Sequence, residues 1–135
     1  MTKLSADSPV DNVVLEWYLA IELKRRGTIK HIFPIFVGPS QEEWPTTAHS
    51  GVADHVYRNY FQSGSHPRSF PDVYVKSIYN EVEANLAKYG FKSPARMTVS
   101  EIVKKICEFQ GAFVEGRFND AAETICKTIA RLVDK

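Results

Sequence analysis

Residues 9–26, PVDNVVLEWYLAIELKRR, carry apolar side chains at helical spacing. At 100° per residue, Val10, Val13, Val14, Trp17, Ala20 and Ile21 fall on one arc, which Leu19 and Leu23 widen. Ser8 suits the N-cap, Pro9 the first helical position and Asp11 a box-like partner, while Gly27 stops the helix. Glu16 projects between Leu23 and Ala20, inside the apolar arc, whereas Glu22 points to the polar side. A carboxylate held against apolar neighbours is costly to ionise unless something pairs with it. Glu16 is therefore expected to be either a structural ion-pair partner or a tuned catalytic acid.

After this helix the period changes. Ile29 to Val37, IKHIFPIFV, is short, β-branched and aromatic, the pattern of a strand covered on both faces in a parallel sheet. Pro34 within it cannot donate to a ladder, so a local irregularity is expected there. Residues 39–52 read as a loop containing Trp44, and residues 53–62 as a short helix closed by Gly64. Pro71-Asp72 opens a second long helix with Val75, Ile78, Val82, Leu86 and Tyr89 as its buried stripe and Gly90 as its stop. Thr98-Val99-Ser100-Glu101 is a capping box, and the helix behind it buries Val99, Ile102, Val103 and Ile106. Residues 110–115, QGAFVE, read as a short strand candidate. Asn119 caps a last helix whose Ala122, Ile125, Cys126, Ile129, Leu132 and Val133 face inward. Strands separated by helices predict an α/β layer with parallel pairing. Residues 1–8 read as a loose lead-in, and residues 9–135 are expected to form one domain.

Composition narrows the functional classes. The chain has 135 residues, 44% hydrophobic and 24% charged, with a net charge of +1. That balance provides no basic field for nucleic acid. Lys24-Arg25-Arg26 closes a helix, where cations favour the dipole. No stretch reaches the roughly 20 apolar residues that span a bilayer, and no signal peptide is evident, so no membrane partner and a cytoplasmic location are expected. Cys107 and Cys126 lack metal spacing and read as reduced core residues. His31, His49, His55 and His66 form no ligand pattern, so no metal is expected. Trp44, Tyr57, Tyr60 and Phe61 read as packing of the short helix or as a stacking platform.

Two segments together resemble a known family. Asp11 to Leu23, DNVVLEWYLAIEL, followed by Ile32 to Gly38, IFPIFVG, looks like the third helix and fourth strand of a TIR (Toll/interleukin-1 receptor) domain. Residues 98–111, TVSEIVKKICEFQG, are similar to the segment before that family's fifth strand, and Phe70-Pro71-Asp72-Val73 is also similar. The resemblance implies a flavodoxin-like parallel sheet with flanking helices, incomplete at its N-terminus because the first strands have no counterpart here. TIR domains either cleave NAD⁺ or assemble with other TIR domains in innate-immune or cell-death signalling. By position in the helix, Glu16 matches the glutamate of the catalytic members. Asn12 stands where the family often has tryptophan, with Trp17 after the glutamate instead.

The chemistry implied for Glu16 needs no metal and no cofactor, with NAD⁺ as substrate. Loss of nicotinamide leaves an oxocarbenium-like ribose, which a nearby carboxylate stabilises. Three expectations follow from the resemblance: an NAD⁺ hydrolase in the complete domain, a non-enzymatic scaffold working through homotypic contact, or a truncated chain with little or no catalysis.

Overall fold

The computed structural model describes residues 3–38, 70–109, 112–115 and 118–134. The helix expected over 53–62, Trp44, Tyr57, Tyr60, Phe61, His49, His55 and His66 lie outside the described residues. The described elements are α1 (Asn12–Arg25), β1 (Ile35–Gly38), α2 (Lys76–Ala87), α3 (Val99–Cys107), β2 (Ala112–Glu115) and α4 (Phe118–Val133). The chain divides into two compact units, residues 1–29 with 68–106 and residues 30–67 with 107–135.

The first unit is helix on helix. α1 packs against α2. Val14 and Tyr18 of α1, Val75 and Ile78 at the start of α2, and Val99 and Ile102 of α3 line one apolar recess together with Met97. Ile78, Val82 and Leu86 are buried along α2, as are Val99, Ile102, Val103 and Ile106 along α3. Each set follows the 3.6-residue period, which is why these stripes were readable in advance. Tyr89 departs from its stripe and is 76% exposed, because α2 ends at Ala87. Gly90 follows at φ +76°, a left-handed conformation that glycine adopts without strain.

Helix starts are set by hydrogen bonds that sequence pattern only partly foresees. α1 begins at Asn12 with Asp11 as N-cap, its carboxylate accepting from Val14 N–H at 3.0 Å, rather than at Ser8-Pro9. Gly27, at φ +75°, ends it as expected. α2 begins at Lys76 instead of Asp72. The intervening segment turns to α3, where Val73 O accepts from Val99 N–H at 2.9 Å and Pro71 O from Ser100 N–H at 3.1 Å. The lead-in is fastened as well: Lys76 N–H donates to Ala6 O at 3.4 Å and Ser77 Oγ to Ser8 O at 2.8 Å.

In the second unit, β1 and β2 pair in parallel, Ile35 opposite Ala112 and Gly38 opposite Glu115. α4 packs against β2. β1 starts immediately after Pro34, so the long apolar run yields only its last three residues, Ile35 to Val37, to the ladder, with Gly38 after them. Proline has no N–H to contribute, which is the reason for the shortening.

These observations correct the expected flavodoxin-like parallel sheet with flanking helices. Four helices of 14, 12, 9 and 16 residues stand against two strands of four among the described residues. The described part of the first unit contains no strand, and its helices bury their stripes on one another. A doubly wound fold requires helices covering both faces of a central sheet. The alternation of helical and strand-like segments suggests layering, but among the described residues the buried stripes of α1, α2 and α3 meet one another at a common recess.

Candidate functional site

α1 was expected to shelter Glu16 and expose Glu22, and the structure reverses the two. Val14, Tyr18, Ile21 and Glu22 are its buried residues. Glu16 is exposed, and Val10 and Val13 are 38% and 44% exposed. Trp17, Leu19, Ala20 and Leu23 are half-buried. The buried stripe is thus rotated about the helix axis by roughly one residue step, about 100°. The physical reason lies in the polar tips. Tyr18 and Glu22 both carry long side chains whose ends find partners, so their bodies can be buried at little cost. Glu16 has no apolar shelter, so the desolvation inferred for it is not present.

Glu22 is 1% exposed. Its Oε2 accepts from Arg26 Nη1 and, at 2.9 Å, from Arg25 Nη2. Arg26 Nη1 also donates to Glu22 O at 3.1 Å. The Arg26 side chain is 10% exposed, whereas Arg25 is 56% exposed. Arg26 continues outward: Nη2 donates to Lys92 O at 2.9 Å and Ser93 O at 3.3 Å, and its guanidinium lies 5.7 Å from the Phe91 ring centroid. Lys24-Arg25-Arg26, read from sequence as a helix-closing triplet, therefore contains the counter-charge of a buried carboxylate.

Tyr18, also buried, donates its hydroxyl to Ala95 O. Burial, and next the neighbouring Glu22 carboxylate, push this hydroxyl well above the ordinary tyrosine range. A second polar cluster surrounds the start of α3. Asp72 Oδ1 accepts from Thr98 Oγ1 at 2.8 Å and from Ser100 Oγ at 3.2 Å. The expected capping box is formed, with Thr98 N–H donating to Glu101 at 2.7 Å and Glu101 N–H to Thr98 Oγ1 at 3.3 Å. These contacts satisfy first-turn groups of a helix, a structural use of the acids.

The cysteines separate. Cys107 is fully buried, and burial raises its thiol to about 12. Cys126, expected in the core, is exposed on α4. Among the described residues, no group of three or more His, Cys, Asp or Glu could hold a metal ion. No described helix is long and apolar enough to cross a membrane.

No family model, curated protein or solved structure matches the chain. The resemblance of its helix-and-strand segment to TIR domains thus stands on the sequence motifs alone.

Sequence reading missed Glu22 and Arg26 as the buried ionic pair. The available signal was spacing: four residues apart on a helix, acid before base, they are neighbours on one face. The i to i+4 distance was legible. Which face turned inward was not.

Proposed function

We propose that this chain is a non-enzymatic interaction module that associates with further copies of itself. The observation that carries this reading is the apolar stripe of α4. Ile125 is buried at 6% exposure, but Ile129 at 38% and Val133 at 66% continue the stripe on the surface. Cys126 is exposed beside them. An amphipathic helix whose stripe outruns its own covering gains from a partner surface. Each such side chain contributes roughly 1.5–3 kcal/mol when fully buried. Association costs an estimated 4–15 kcal/mol in lost freedom, so contact through this patch is weak and concentration-dependent.

The exposure of Glu16 also supports this reading over NAD⁺ cleavage. A carboxylate in bulk solvent stabilises a developing ribose cation far less than one in a dry pocket. Sedimentation velocity across a wide concentration range, on the intact chain and on Val133→Glu, tests the proposal. Reversible association lost in Val133→Glu is expected. A monomer at every concentration refutes it. Nicotinamide release from NAD⁺, measured on the same samples and abolished by Glu16→Ala, would replace it with the enzymatic reading.

A further inference from the structure

The exposed part of α4 carries a charge pattern beside its apolar residues. At about 100° per residue, Cys126, Ala130 and Val133, all exposed, and Ile129, at 38% exposure, share an arc of about 100°. Glu123, Lys127 and Asp134 lie within about 40° of one another along one edge of that arc. The Glu123 and Lys127 side chains are 78% and 66% exposed and pair with each other at 2.6 Å. Asp134 is exposed as well. Its N–H donates to Ala130 O at 3.0 Å, so it keeps the helical phase one position beyond α4. From the N-terminal end onward, the edge therefore runs acid, base, acid.

Such an edge distinguishes the two ways in which a helix can lie on its own copy. In a parallel pair in register, every residue meets itself, so Glu123, Lys127 and Asp134 each face a like charge, which is repulsive throughout. In an antiparallel pair, a twofold axis perpendicular to both helices brings the same edges together in reverse order. With that axis at Ala130, Lys127 of one copy stands level with position 133 of the other, about 1.5 Å along the axis from Asp134. Ala130, the smallest side chain of the arc, then occupies the closest approach, and Cys126 lies beside Val133 of the other copy. We propose that two copies join through α4 laid antiparallel on α4 about a twofold axis at Ala130, Lys127 of each copy meeting Asp134 of the other. This arrangement rests on the association through α4 proposed above and says which residues meet in it. The contact is isologous, so each copy uses up its own patch and assembly stops at two.

Charge exchange and cross-linking test the arrangement on the full chain. In sedimentation velocity, Lys127→Asp and Asp134→Lys are each expected to weaken dimerisation about tenfold, because two symmetric contacts turn repulsive. The double variant Lys127→Asp/Asp134→Lys restores opposite charges and is expected to return to within about threefold of the intact chain. Cross-linking uses glutathione disulfide, which two protein thiols reduce to two glutathiones as the protein S–S bond forms. The intact chain is expected to give no covalent dimer on a non-reducing gel. Its two Cys126 residues stand about 12 Å apart along the helix axis, beyond the roughly 7 Å between α-carbons that a disulfide spans. Cys107 is buried and stays out of the exchange. Val133→Cys places a thiol beside Cys126 of the other copy and is expected to give the covalent dimer, whereas Cys126→Ser/Val133→Cys is not. Association that persists while the intact chain cross-links through Cys126, or that the double charge exchange fails to restore, overturns the antiparallel pairing and leaves self-association through α4 standing. A monomer at every concentration overturns both.

Discussion

Removal of Arg26 is the sharpest test of how the first unit is held. In Arg26→Ala, the 1%-exposed Glu22 carboxylate keeps only Arg25, whose side chain is 56% exposed. Breaking a buried pair by deleting one partner costs about 3–5 kcal/mol, because the remaining charge is left poorly compensated. The carbonyls of Lys92 and Ser93 also lose their donor, each worth about 1 kcal/mol net. Arg25 and entering water offset part of this, so the expected loss is about 3–4 kcal/mol, the lower part of the buried-pair range. Arg25→Ala touches the same carboxylate from the solvent side and is expected to cost about 0.2–1 kcal/mol. Urea denaturation followed by helical circular dichroism measures both, with the slope checked for constancy so that midpoints can be compared. Arg26→Ala within about 1 kcal/mol of the parent would refute the assignment, since exposed pairs reach that size unaided. So would an Arg25→Ala loss equal to that of Arg26→Ala.

Three further outcomes are expected. Leu86, fully buried on α2, should cost about 2–5 kcal/mol when changed to Ala, read as a lowered urea midpoint. Thr98→Ala removes the hydroxyl that joins Asp72 to the start of α3, with an expected loss of about 0.5–2 kcal/mol and faster exchange of first-turn α3 amides. Burial holds the folded Cys107 thiol protonated up to about 12, well above the ordinary thiol range, so its contribution is fully present below about pH 9 and is lost as pH rises toward 12. Cys107→Ala should therefore flatten the decline of stability above about pH 9, as followed by thermal melts up to about pH 11, and a thiol reagent should modify Cys126 in the folded chain before Cys107.

Much of the first unit was legible because its signals are local. The capping box of Thr98 and Glu101, the stripe of α3 and the left-handed glycines after α1 and α2 each depend on residues within one turn of each other. α1 was harder. Its apolar residues spread around most of the circumference, so the arc containing Glu16 and the arc containing Tyr18 fit the spacing almost equally well. The carbonyl of Ala95, 77 positions along the chain from Tyr18, helped to decide between them. Arg26 likewise meets Lys92 and Ser93 at separations of 66 and 67 residues.

The expected α/β layer failed for a related reason. Period-two and apolar-run patterns report that a segment is buried, and helices bury apolar faces equally well on helices or on a sheet. The run containing Pro34 looked like a nine-residue central strand, but a residue without an N–H cannot join such a ladder, and pairing begins only after it. Cys126, Ile129 and Val133 share the helical phase of buried Ile125, yet phase does not say how far along α4 the covering extends.

By itself, the order of residues determined which segments become α1 to α4 and the glycine stops after α1 and α2, which sides of α2 and α3 turn inward, and that Glu22 and Arg26 can meet across one turn. Those outcomes rest on backbone geometry and neighbours a few positions away. Tertiary structure decided which face of α1 is buried, that helices rather than a sheet enclose the first core, and that Glu16 faces water. Such choices depend on donors and acceptors brought together from distant positions, where burying a polar tip is favourable only if the fold supplies its partner.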